Sequence, residues 1–230
     1  MKYIDSIYAT NQSGKLGGVI FSSNQYGVYS CMRKIPVDPN TPAQQTSRAG
    51  TAMIARLWAT LTPAQRLNWS EQSKKYQFRK KGKTYFLSPN VFFIKLNKNL
   101  YEVGAPLMLD FPSGNLQVPQ DFSQFDIQMT NSPSGTDFLM FIDPAINSNT
   151  KLSLFATLPV SNSEFYGSSK RLKIAVLDSS FVSGSSIKDL YWNKYFQFPG
   201  STTKVFFEIK SVSMQSAFAS VPKSCETYGI

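Results

Sequence analysis

Residues 61–78 read LTPAQRLNWSEQSKKYQF, and this stretch decides how the front of the chain folds. Thr62 stands where a helix N-cap belongs. Pro63 suits the first helical position, whose amide has no intrahelical acceptor, and Gln65 is the capping-box partner. Leu61 precedes the cap as a hydrophobic staple residue. Trp69, Ser73 and Tyr76 fall near one face of the helix that follows, with Leu67 beside them. The basic run at 74–83 is expected to fray this helix, and Gly82 to end it.

Upstream, PVDPNTP at 36–42 holds three prolines in seven positions, which prevents a helix there. Thr41 then caps a first helix, with Pro42 at its first position and Gln44 as box partner. This helix is expected to run to about residue 59 on a stripe of Ala49, Ala52, Met53, Ile54, Leu57 and Trp58. Gly50 inside it costs about 1 kcal/mol, which suggests a close packing contact. The two helices are about three residues apart and so form a tight corner. Before them, 1–35 reads as extended chain, with apolar runs at 19–21 and 26–29 and a hairpin near 22–25. Downstream, Ser88 and Pro89 open a third helix whose apolar face is Phe92, Phe93, Leu96 and Leu100, with Lys95 and Lys98 outward.

From Gly104 the character changes. Residues 105–120 are Pro/Gly-rich and read as a link. Strands are expected at 122–129, 137–142, 151–157, 172–177 and 204–212, separated by Ser/Asn/Gly segments. Phe125, Ile127 and Met129 alternate, as do Leu152, Leu154 and Ala156. Residues 187–199 read as a short helix or an irregular aromatic crossing, and those after 222 as a loose tail. The fold class is α+β: a small N-terminal helical module with short strands (1–104), a link (105–120), an antiparallel β-sandwich (121–221) and a tail (222–230).

The chain has 230 residues, 42% of them apolar, including 18 Phe and 11 Tyr; this fills one or two cores and excludes a disordered polar chain. Net charge is +10, unevenly placed. Residues 1–104 carry 15 Lys/Arg against 4 Asp/Glu, whereas 105–230 are close to neutral. Such a field attracts phosphate backbones, anionic lipid or an acidic protein face. Its focus is 74–83, where Lys74, Lys75, Arg79, Lys80, Lys81 and Lys83 flank Tyr76 and Phe78, so phosphate contacts sit beside aromatics able to stack on bases. Arg48, Arg56 and Arg66 extend the patch if they share its face. The competing reading is a solvated helix end whose lysines favour the C-terminal dipole.

No catalytic constellation is visible. There is no His, which removes the usual Ser-His-Asp and Cys-His arrangements, and no GxSxG elbow. The carboxylates are scattered: Asp137 and Asp143 flank an expected strand, while Asp178 and Asp189 lie near loops. No metal-ligand pattern or cofactor motif appears. Cys31, near Arg33 and Lys34, reads as a partly buried strand thiol. With Cys225 it reads as two unpaired thiols, a 31–225 bridge being the alternative if the termini meet. No apolar run matches a signal peptide or a membrane span.

Residues 33–104 resemble a widespread family of bacteriophage and prophage proteins with the patterns NPxTPAQxxxR and WxxLTxAQRxxW. The matching positions are Arg33, Pro36, Pro39, Asn40, Thr41, Pro42, Gln44, Arg48, Trp58, Leu61, Thr62, Gln65, Arg66 and Trp69. Gly14, Gly17 and Gly18 resemble the family's glycine-rich start. Pro89, Asn90, Phe93, Leu96, Asn97, Leu100 and Gly104 resemble its later Asn/Phe/Leu section. Asp38 departs from the pattern, where relatives more often show Asn-Pro and then a basic or polar residue. The back of the chain is similar to a fibronectin type III-like sandwich, and the two-Trp corner to part of an HMG box. The resemblance implies a non-enzymatic structural component of a virion, located in the particle, in capsid, vertex, neck or tail. Its partners would be other virion proteins or further copies of itself. Pro39, Pro42, Trp58, Leu61 and Trp69 would fix the helical module. The alternative is a DNA-binding or genome-packaging accessory protein using the 74–83 patch. In a third reading, a surface adhesive module, Tyr191, Trp192, Tyr195 and Phe196 are the clustered aromatics that a glycan platform needs; plugging the sandwich or a subunit interface is their competing role.

Overall fold

The computed structural model describes residues 14–24, 27–35, 37–80, 82–112, 118–132, 135–164 and 171–229. They form a mixed α+β fold of antiparallel sheets and, among the described residues, four helices. Strands β1 (Gly14–Leu16), β2 (Val19–Asn24) and β3 (Gly27–Met32) come first, then helices α1 (Pro42–Thr60) and α2 (Pro63–Ser73). Strands β4 (Gln77–Lys80) and β5 (Lys83–Phe86) lead to α3 (Pro89–Glu102). Next come β6 (Gln124–Ser132), β7 (Gly135–Asp143), β8 (Thr150–Ala156), β9 (Val160–Ser161), β10 (Leu172–Leu177) and β11 (Ser185–Ser186). Helix α4 (Lys188–Tyr195), β12 (Thr203–Ser213) and β13 (Lys223–Tyr228) complete the chain. No described helix is long and apolar enough to cross a membrane.

Contacts divide the chain into two compact units, 1–45 and 46–230. The composition shift at residue 104 lies inside the second. The first unit holds the meander β1-β2-β3, paired Leu16 to Val19 and Asn24 to Gly27. The expected hairpin is present as the β2–β3 pair; residues 25–26 lie outside the described residues. Pro36 and residues 1–13 also lie outside them. None of residues 14–22, 29–35 and 37–49 is buried. Cys31, expected to be partly buried, is exposed on β3.

In the second unit, α2 begins as its sequence dictates. The Gln65 amide donates to Thr62 Oγ1 at 3.3 Å, and the Thr62 amide to Gln65 Oε1 at 2.9 Å. Leu61, Trp69, Phe92, Phe93, Leu96 and Leu100 fill a helical core, with Trp69 edge-on to Phe92, Phe93 and Phe111. Helix α1 enters this core through Gly50 and Ile54, with Leu57 and Trp58 half-buried. Ala49, Ala52 and Met53 are instead exposed, because the i, i+4, i+7, i+8 row that starts at Gly50 lies to one side of them. Leu67 is exposed too. The contact expected at Gly50 exists: a Cβ there would meet Tyr101 Cε1 at 2.5 Å.

Two further expectations are corrected. The link at 105–120 is in part packed structure: Ala105 and Phe111 are core residues, with Leu107 and Met108 against them. Polar side chains hold it down. The amide of Met108 donates to Asn97 Oδ1 at 2.7 Å, Asn97 Nδ2 returns a bond to the Met108 carbonyl at 3.1 Å, and Trp69 Nε1 donates to the Leu109 carbonyl at 2.8 Å. The tail after 222 is mostly strand β13, paired Lys204 to Tyr228 and Ile209 to Lys223. Its KSCETY sequence is polar enough to read as tail, yet Cys225 and Thr227 turn inward.

The remaining strands form sheets in the orders β10-β8-β12-β13 (with β9 on β12) and β11-β7-β6. Residues of both, among them Ile127, Phe138, Met140, Leu154 and Phe207, fill one core together with Tyr191 of α4. Strand β12 feeds both cores: Val205, Phe207 and Ile209 enter this one, Val212 the helical one. The C-terminal end of α3 meets three sheet lysines. Lys151 donates to the Val103 carbonyl at 3.3 Å, Lys173 to the Glu102 carbonyl, and Lys210 to Asn99 Oδ1 at 3.3 Å. Cations there oppose the negative end of the helix dipole.

Candidate functional site

The basic run does not fray a helix; it forms a hairpin. Helix α2 stops at Ser73, with Lys74 as its C-cap, and β4 pairs β5 in the register Gln77 to Phe86 and Lys80 to Lys83. Gly82 has φ +76°, a left-handed conformation that costs glycine little. The same preference that marks glycine as a helix terminator also suits a hairpin turn. Tyr76 and Phe78, in a period-two pattern with Arg79 outward, tip the balance toward strand.

Directly paired residues share a face of a hairpin. Phe78 and Tyr85 pair, with ring centroids 6.3 Å apart, and Phe78 packs on Phe92 at 6.0 Å. Lys95, exposed as expected, places its ammonium 3.5 Å from the Phe78 ring centroid. That cation–π contact is worth about 0.5–1 kcal/mol at an exposed site. Burial, with Lys210 nearby, lowers the Lys95 pKa. The other face of the ribbon presents Gln77, Arg79, Thr84 and Phe86, all exposed. This is a short cationic ribbon with an aromatic at its base. It suits contact with phosphates or carboxylates.

The remaining basic residues divide. Lys74 and Lys75 are exposed at the end of α2, where they also favour its dipole. Lys80 and Lys83 are placed by backbone register, and Lys81 lies outside the described residues. Arg56 and Arg48 sit at exposed positions of α1. Arg66 has a structural task instead: its Nη2 donates to the Ala59 carbonyl at 2.7 Å, closing the α1–α2 corner. Of the residues expected to fix the module, Leu61 and Trp69 are buried, Trp58 lies 5.4 Å from Phe93, and Pro42 opens α1. Pro39 is exposed.

The four clustered aromatics of α4 separate into pairs. Tyr191 is buried and donates to the Thr157 carbonyl at 3.0 Å, and Tyr195 donates to the Ala156 carbonyl. Burial pushes both phenol pKa values up. Trp192 and Phe196 remain exposed. Sequence reasoning gave no structural role to Asn97, which it named only in the family resemblance, and missed Lys151, Lys173 and Lys210. For Asn97 a signal existed, since it stands four residues after Phe93 on the apolar face of α3.

Both cysteines are free. Burial, with Asp126 nearby, pushes the Cys225 thiol up to about 12. Among the described residues no three His, Cys, Asp or Glu side chains converge as a metal site would need. No family model, curated protein or solved structure matches the chain.

Proposed function

We propose that this chain is a non-enzymatic structural component of a bacteriophage particle (capsid, vertex, neck or tail), anchored through its basic helical front. In this reading the strand-rich back is a sandwich that faces outward or meets a neighbouring subunit. One observation carries it. Among the described residues of the N-terminal meander and the chain after it, the apolar side chains of Leu16, Met32, Ile35 and Val37 are all more than 70% exposed. Apolar side chains left in water on a short three-stranded sheet add no packing that would stabilise it, so a neighbouring subunit is their natural cover. The resemblance of 33–104 to phage proteins supports the same reading. The test is incorporation: particles assembled with Met32→Asp/Ile35→Asp protein should lose the subunit while the purified variant keeps its melting temperature. Normal incorporation of the variant contradicts the anchoring role.

A second reading has its own support. The pairing of β4 with β5, which carry Arg79, Lys80 and Lys83, gives the alternative DNA-binding or packaging role of the 74–83 patch a ribbon narrow enough for a groove. Filter binding across a salt series tests it. A ribbon neutralising several phosphates weakens steeply as salt rises; absence of DNA affinity at low salt removes this role.

A further inference from the structure

A cleft of about 480 Å³ opens where the loop after β10 meets β11 and the first turn of α4. That volume falls within the usual range for small-molecule sites. The loop is tied down along its length. Asp178 Oδ1 accepts from the Ser180 amide at 2.9 Å and the Ser180 hydroxyl at 2.6 Å. The Ser183 hydroxyl accepts from the Ile142 amide at 3.0 Å, the Gly184 amide donates to the Met140 carbonyl at 2.8 Å, and the Ile187 amide to the Phe138 carbonyl at 2.8 Å. Strand β7 therefore holds this wall in place, and a ligand meets a preformed site with little left to order.

The lining is rich in acceptors and half apolar. The Ser180 and Ser186 hydroxyls donate to Asp178 and Asp137; Ser186 Oγ also accepts from the Lys188 amide at 3.2 Å, so Ser180 is the hydroxyl with its lone pairs left to offer. Asp189 makes no hydrogen bond or ion pair among the described residues. Phe181, Val182 and Leu190 supply apolar surface. A fitting ligand carries several donors on one side and C–H groups on the other. Anions are repelled by two carboxylates. A compact cation loses hydration against the apolar side chains without full repayment. A pyranose ring meets both conditions, because each of its hydroxyls can donate to a carboxylate while its C–H face lies on Phe181 and Leu190. Asp189 and Trp192 stand three residues apart on one face of α4, and Phe196, its left-handed C-cap, packs on Trp192 with ring centroids 6.2 Å apart. We propose that this cleft binds an uncharged sugar, with Asp178 and Asp189 gripping its hydroxyls. The proposal does not rest on the virion reading.

Saturation-transfer NMR on the full chain tests it, with the methyl glycosides of glucose, galactose, mannose and N-acetylglucosamine as probes. At least one should receive saturation from the protein. Asp189→Ala should weaken that glycoside about tenfold, the loss of one charge-assisted hydrogen bond. Val182→Arg, at an exposed position on the rim, should block binding with the melting temperature unchanged. Asp189→Asn, which keeps an acceptor, should retain part of the affinity. Three results overturn the proposal: no glycoside receives saturation, the Asp189→Ala and Val182→Arg variants bind as the parent does, or trilysine binds in place of the glycosides and is lost in Asp189→Asn. The last result makes the cleft a cation site.

Discussion

Asn97 is the side chain on which the helical core closes. It is fully buried and spends its amide on the Phe93 carbonyl and on both backbone groups of Met108. Asn97→Ala leaves a buried N–H and a carbonyl with fewer partners. It should cost about 2–3 kcal/mol in urea unfolding, near the upper end for an unsatisfied buried group. A loss below about 0.5 kcal/mol contradicts this role, since that is the range of ordinary surface changes. The thiols make a second residue-scale case. Cys31 is exposed, whereas Cys225 is half-buried and held protonated by its surroundings. Iodoacetamide at neutral pH should therefore label Cys31 quickly and Cys225 only when β13 opens. The folded-state pKa of Cys225 lies above the thiol's ordinary 9.0, so the unfolded chain ionises first. Its contribution to stability is complete below pH 9 and is lost as pH climbs toward 12. Cys225→Ser should flatten that part of the alkaline decline; an unchanged slope assigns the decline to other groups, such as Tyr191 and Tyr195.

Among the elements, the three lysines at the C-terminal end of α3 give the sharpest test. Lys173 reaches the Glu102 carbonyl from β10, and burial lowers its pKa. Lys173→Gln should cost about 0.3–1 kcal/mol, as a dipole-facing cation does, and less at high salt. An effect that is indifferent to salt makes it a packing contact instead. Such contacts mark the limit of what sequence shows. The capping box at Thr62, the apolar face of α3 and the span of β10 were legible because each is written in a local pattern. The hairpin at 77–86 was not, because lysines suit a helix end and a glycine past them suits its termination equally well. The exposed row Ala49, Ala52 and Met53 misled for a related reason: small apolar residues fit a helix on either face, and only the partner fixes the rotation. The sugar cleft was the least legible. Asp178 and Asp189 lie eleven residues apart in sequence and are joined through the folding of a loop onto β7.

For the molecule as a whole, the composition break at residue 104 does not coincide with a break in packing. Val103, Ala105 and Phe111 lie in one core with Trp69 and Val212, and β12 continues from there into the second core. A fragment of residues 1–104 lacks Phe111, Val212 and Ala217 and should show no cooperative thermal transition, whereas 46–230 should melt in a single step. Two separate transitions in 46–230 contradict shared cores. The first unit is different: among its described residues Leu16, Met32, Ile35 and Val37 stand exposed, and these apolar side chains are the feature on which the proposed function depends. For the proposed virion role, mass spectrometry of phage particles purified from the source of this chain is the most direct test. The account predicts the chain in the particles at a fixed ratio to the major capsid protein; its absence from intact, infectious particles contradicts it.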